Sequence, residues 1–265
     1  MGEIKGLALF RDRFAAHSDK YILIGGCAMH AVLSGTDLKP RATKDLDIVL
    51  VVEAIDPSFV TLFWAFVEEG GYRLSQVSRG DRRNFYRFQK PTNAAFPAML
   101  ELFSREPTLS VPLGTGTHLT PIPVGEDVAS LSAILLDPDY YAFILGERKD
   151  LMGLPYIGEG CLIALKAVAW LDLRERKASG DAIDGKDIRK HLMDVFALSQ
   201  VLLPSTRFDV SPRIAADIER FAAEARMEHH DLSRFGKDIS ADEIILGIQA
   251  AFCAASPEVR AVSPD

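Results

Sequence analysis

Two aspartates, Asp45 and Asp47 in the run Lys44-Asp45-Leu46-Asp47-Ile48-Val49-Leu50, are the residues most capable of chemistry in this sequence. Residues two apart on a strand point to one face, so both carboxylates share a side while Leu46 and Ile48 take the other. Aspartate is disfavoured in strands, and neighbouring like charges raise one another's pKa unless a cation sits between them. The pair therefore suggests a divalent metal, for which hard carboxylate oxygens favour Mg2+; the plainer alternative is two solvated acids at a strand end. A third acid, Glu101 in Ala98-Met99-Leu100-Glu101-Leu102-Phe103, falls between Met99 and Phe103 in the period-2 pattern, on an otherwise apolar face. It needs a partner there, either a metal shared with the two aspartates or an arginine. Asp45, Asp47 and Glu101 on adjacent strands would hold two metal ions that activate a hydroxyl and stabilise a leaving pyrophosphate.

Upstream, the apolar run Tyr21-Ile22-Leu23-Ile24 leads into Gly25-Gly26 and a helix-like stretch over 27–34. Glycines between a strand and a helix let the backbone approach a phosphate closely, and the N–H groups at a helix start favour an anion; the alternative is a tight turn and nothing more. Downstream, Lys166 has Leu162, Ile163, Ala169 and Trp170 as its helical neighbours, so its ammonium points inward, snorkels, or reaches the oxygens of a triphosphate. Asp187, Lys190, His191 and Asp194 share one face of the following helix, which on pattern alone is a solvated face.

The series Gly25-Gly26 to Leu33, then Arg41, Thr43, Asp45 and Asp47, then an apolar strand bearing Glu101, resembles the DNA polymerase β-type nucleotidyltransferase superfamily. More narrowly, it is similar to the AbiEii/AbiGii toxin family, over about residues 20–200. The resemblance implies a polymerase β-type core in which Asp45, Asp47 and Glu101 bind metal, Gly25, Gly26 and Thr43 bind nucleotide phosphates, and Lys166 and Asp187 are required for activity. It implies Mg2+ as cofactor, a nucleoside triphosphate as substrate, RNA (in some relatives the tRNA 3′ end) as acceptor, and a separately encoded antitoxin as partner. Lys186 stands where the family commonly has arginine, and Lys190 where it commonly has a second aspartate. Two other functions stay open: transfer to a small molecule or a protein, and a catalytically silent nucleotide-binding regulator.

The elements that must position these residues alternate. Periodicity predicts a helix over about 3–17, a strand over 21–24, a second strand over 46–52, and a helix over about 57–69. Strands near 72–77, 84–90 and 98–103 follow, then an irregular Pro-, Gly- and Thr-rich stretch over 104–125 and a hairpin of 140–147 with 151–157. Helices near 159–178, 185–202, 211–228 and 241–254 complete the chain. The expected fold is α/β (α+β): a nucleotidyltransferase core with a small mixed sheet over 1–125, and a mainly helical domain over 126–265 that closes the active-site cleft.

Composition agrees with an ordinary folded protein: 265 residues, 48% apolar and 25% charged. The net charge of −7 excludes a surface that coats nucleic acid throughout. The charge is uneven, however, with 13 Lys and Arg against 11 Asp and Glu over residues 1–90, and 17 against 26 in the remainder. Arg73, Arg79, Arg82, Arg83, Arg87 and Lys90, interleaved with Tyr72, Phe85, Tyr86 and Phe88, form either a receptor for a phosphate-rich partner or a solvated hairpin whose arginines neutralise nearby acids. Three widely spaced cysteines, Cys27, Cys161 and Cys253, read as reduced thiols. No apolar run approaches the ~18 residues of a membrane span, and the N-terminus lacks a signal-peptide pattern, so no membrane partner and a cytoplasmic location are expected.

Overall fold

The computed structural model describes residues 4–74, 86–103, 105, 137–228, 230–233, 235 and 239–254. The chain divides into two compact units, Met1–Gly158 and Glu159–Asp265. Most of the arginine-rich stretch, residues 75–85, lies outside the described residues, as does the irregular stretch after 103 apart from Arg105.

The first unit is built on a mixed sheet whose described strands are β1 (Tyr21–Ile24), β2 (Asp45–Leu50), β3 (Arg73–Leu74), β4 (Tyr86–Gln89), β5 (Met99–Phe103), β6 (Arg148–Leu151) and β7 (Leu154–Ile157). Their order is β3-β4-β5-β2-β1-β7-β6. β2 runs parallel to β5 and β1 parallel to β7, while the other neighbours are antiparallel. Register sorts the side chains cleanly. Tyr21 opposes Leu50, Leu23 opposes Ile48, Leu46 opposes Leu100, and Phe88 opposes Leu100 from the other side, so one face of these four strands is apolar.

Helices α1 (Leu7–Arg13), with Phe14 at its C-cap, and α3 (Pro57–Gly70) supply the aromatics of that core: Phe10, Phe14, Phe59, Phe63 and Phe66 are buried with Leu23, Ile48 and Phe88. The start of α3 is written locally. Pro57 occupies the first turn, the Asp56 carboxylate accepts from Phe59 N at 2.9 Å, and Gly71 ends the helix in the left-handed conformation that a side chain disfavours. Between β1 and β2, helix α2 (Gly25–Val32) begins at Gly25 itself, so the glycine pair is the helix's first turn rather than a loop before it.

The stretch read as strand over 140–147 is instead helix α4 (Pro138–Gly146). The Asp137 carboxylate accepts from the backbone N–H groups of Asp139 and Tyr140, and Pro138 opens the first turn, which is a helix start and not a strand. The hairpin is β6–β7, turned through Met152 and Gly153, both with positive φ. Because β7 pairs in parallel with β1, the first unit extends to Gly158, beyond the boundary near 125 expected from composition.

The second unit is helical: α5 (Glu159–Ala178), α6 (Gly185–Ser199), α7 (Pro212–Arg226) and α8 (Ala241–Ala251), with β8 (Phe208–Val210) and β9 (Phe252–Ala254) paired in parallel. The strand β9 replaces the end of the helix expected to run to 254. α5 is buried on every side from Gly160 to Ala167, as an all-round apolar sequence requires. Asp184 and Ser211 cap α6 and α7 through Lys186 N and Ile214 N. Among the described residues no helix is long and apolar enough to cross a membrane.

Candidate functional site

The second face of the sheet differs from the first at one place. Ile22, Ile24, Val49 and Phe103 are buried there, but across three strands a polar row interrupts them: Arg87 opposes Glu101 and Glu101 opposes Asp47, whose other neighbour is Ile24. Residues opposite one another on neighbouring strands share a face, so the register brings Asp47 and Glu101 side by side. Asp45 lies two residues back on the same face, opposite Met99.

α2 joins this row at its level. Gly25 has φ +60, and a Cβ built there would overlap Asp47 Oδ2; the carboxylate rests where any other residue would carry a side chain. A Cβ at Gly26 would meet Thr43 Oγ1 at 2.7 Å. Both glycines thus let acid and hydroxyl close on the first turn of α2, whose N-cap, Ile24, offers no side-chain acceptor to the N–H groups there. The loop carrying Thr43 is tied down by His30 Nε2 donating to Arg41 O at 2.8 Å, and by Ala98 N donating to Lys44 O at 3.0 Å. Cys27 Sγ donates to Asp45 O at 3.3 Å, and burial, helped by Asp47 and Asp45, pushes its thiol pKa well up. Cys27 is therefore a neutral donor that steadies β2, not a nucleophile.

Glu101 is 9% exposed, and its counter-charge is the Arg87 guanidinium, whose Nη2 contacts Glu101 Oε1. The contact lacks hydrogen-bond geometry. Glu101 Oε1 and Arg87 Nε are both buried without a hydrogen-bond partner. Of the two partners the sequence allowed for Glu101, the arginine is the one in place. Among the described residues no three His, Cys, Asp or Glu side chains are gathered as a ready cage for an ion. The donor chemistry nevertheless suits Mg2+: Asp47 and Glu101 lie side by side in register, and Asp45 is two residues back on the same face, offering the hard carboxylate oxygens that ion takes.

Gly25, Gly26, Thr43, Asp45, Asp47 and Glu101 are therefore assembled within the first unit. Lys166 and Asp187 belong to the second. The Lys166 ammonium points inward, where it donates to Asp194 Oδ2 at 2.7 Å, and both residues are buried. Asp194, read from pattern as part of a solvated face, is 2% exposed. Asp187 is exposed in the first turn of α6, two helical turns or about 10 Å from Asp194. Sequence reasoning allowed an arginine for Glu101 without singling out Arg87, and missed Asp194 as the partner of Lys166; the signal there was a charge at an apolar position, which demands an opposite charge nearby.

The second unit also holds a cleft of about 460 Å3 lined by Trp170, Arg174, Lys177, Arg189 and Leu192. Its most prominent cation is already engaged, since Arg174 lies over the Trp170 ring and pairs with Glu224 and Glu228. Compared with known protein families, with curated proteins and with solved structures, the chain matches none.

Proposed function

We propose that the protein is a metal-dependent nucleotidyltransferase that moves a nucleoside monophosphate from a nucleoside triphosphate to an acceptor hydroxyl. The observation that carries this reading is the meeting of Gly25, Asp47 and Glu101: a side-chain-free first helical turn against one carboxylate, in register with a second. The first turn of α2 and the Thr43 hydroxyl receive phosphate oxygens. Asp45 and Asp47 hold Mg2+, and Glu101 completes the ligand set or takes the proton of the acceptor. Mg2+, when bound, supplies charge stabilisation at the reacting phosphate and lowers the pKa of the attacking hydroxyl. The acceptor oxygen forms a bond to the α-phosphorus, the bond from that phosphorus to the bridging oxygen breaks, and pyrophosphate leaves.

RNA is the proposed acceptor, in the setting of a toxin with its antitoxin, on the strength of the motif resemblance and of Arg73, Arg87 and Lys90 about the β3–β4 strands. The overall charge of −7 favours a small-molecule acceptor instead, and the same experiment separates the two. Purified protein and its Asp45→Ala/Asp47→Ala variant are incubated with Mg2+, each labelled nucleoside triphosphate in turn, and total cellular RNA. Label should enter RNA with the native protein and fall by at least about 10³-fold in the variant, equivalent to losing several kcal/mol of transition-state stabilisation. Undiminished transfer by the variant overturns the assignment. Nucleotide binding without label in RNA moves the reading to a small-molecule or protein acceptor, or to a silent regulator.

A further inference from the structure

From the row Arg87–Glu101–Asp47 we infer that Arg87 is a built-in counter-cation that a divalent metal must displace from Glu101, so that Arg87 sets the metal affinity of the site. This inference rests on the metal reading of Asp45 and Asp47 and adds to it how loading is regulated. Two observations support it. The register places Arg87, Glu101 and Asp47 on three neighbouring strands and on one face, so the guanidinium and a metal held by Asp47 compete for the same carboxylate. The Arg87–Glu101 ion pair is incomplete: Arg87 Nη2 meets Glu101 Oε1, while Arg87 Nε is buried without a hydrogen-bond partner.

An arginine is suited to this place because it never loses its charge, so the brake on loading is independent of pH across the physiological range. The Arg87 side chain is 35% exposed against 12% for Glu101, so the guanidinium has solvent to retreat into while the carboxylate stays. Metal loading then exchanges one cation for another around a fixed anion.

The test is direct binding of Mn2+ to the full chain, read by electron paramagnetic resonance of the free ion, with no nucleotide and no turnover. Arg87→Met should bind Mn2+ about tenfold more tightly than the native protein, because a competing unit charge is gone. Arg87→Lys, which keeps the charge, should stay near the native affinity. In a Glu101→Gln background the Arg87→Met change should have no further effect, since Arg87 acts through Glu101. Folding of each variant is followed by circular dichroism, and Mn2+ should raise the melting temperature of Arg87→Met more than that of the native protein. Native binding that is lost in Asp45→Asn/Asp47→Asn but unchanged in Arg87→Met overturns the role of Arg87 and leaves the metal reading standing. Absence of Mn2+ binding in both native protein and Arg87→Met overturns both.

Discussion

Each unit of this protein holds a carboxylate and a cation against an apolar surface, and the two pairs are built differently. In the second unit Lys166 and Asp194 are 10% and 3% exposed at their side chains and joined by a hydrogen bond of 2.7 Å. In the first, Arg87 and Glu101 are 35% and 12% exposed and touch without one, each keeping a buried atom unsatisfied. A pair that is sealed and hydrogen-bonded ties α5 to α6. A pair that is open on one side and under-bonded can trade its cation. The difference teaches that a buried charge becomes informative only through the state of its partner.

The largest expected effect comes from breaking the sealed pair. Lys166→Met strands Asp194 at 2% exposure and should cost about 3–5 kcal/mol in chemical denaturation, with most of that restored by adding Asp194→Leu. A double variant no more stable than Lys166→Met would show that the pair is not the source. Next is Gly25→Ala: a positive φ and overlap with Asp47 Oδ2 should cost about 1–3 kcal/mol. It should impair transfer more than stability, as a comparison of rates at a temperature where both proteins are folded would reveal. Breaking the open pair by Arg87→Met should destabilise the metal-free protein by only about 1 kcal/mol, because its solvent-facing side already screens the interaction. A loss as large as that in Lys166→Met would erase the contrast between the two regions.

The smallest effect concerns pH, and neither pair. Asp56 is held well below the usual carboxylate range by the Ser58 hydroxyl, by Lys20 and by Phe59 N–H. A lowered folded pKa contributes stability that is present above the unfolded value, near 4, and is lost as pH falls through the folded value. Asp56→Asn should therefore lower the melting temperature most at pH 7 and progressively less toward pH 2, flattening the acid limb of the stability profile in melting curves taken over that range.

Much of the site was legible because its signals are local. The alternation around Leu46 and Ile48 put Asp45 and Asp47 on one face, and Met99-Leu100-Glu101 did the same for Glu101; the register then confirms a shared face for Asp47 and Glu101. The glycine pair was read correctly as the junction of strand and helix, though the helix starts two residues sooner, at Gly25. What escaped was tertiary. Arg87 sat inside a basic, aromatic-rich stretch where nothing distinguishes the one arginine that faces an acid. Asp194 shared a helical stripe with exposed residues, and only the ammonium from α5 explains why it turns inward. The strand expected over 140–147 failed for a local reason that was available: Asp137-Pro138 is a helix-start signal, and it outweighs the β-favouring tyrosines and phenylalanine behind it.

The parallel pairing of β1 with β7 has a consequence for how the chain is made. β1 and β2 lie within residues 21–50 and can pair as soon as both are made, yet the other edge of β1 has no partner until residues 154–157 have emerged. For more than a hundred residues of translation, a fully apolar strand waits with its backbone donors and acceptors exposed, the kind of edge that recruits foreign strands. Any shortened form of the first unit therefore has to keep residues 154–157 if that edge of β1 is to stay covered.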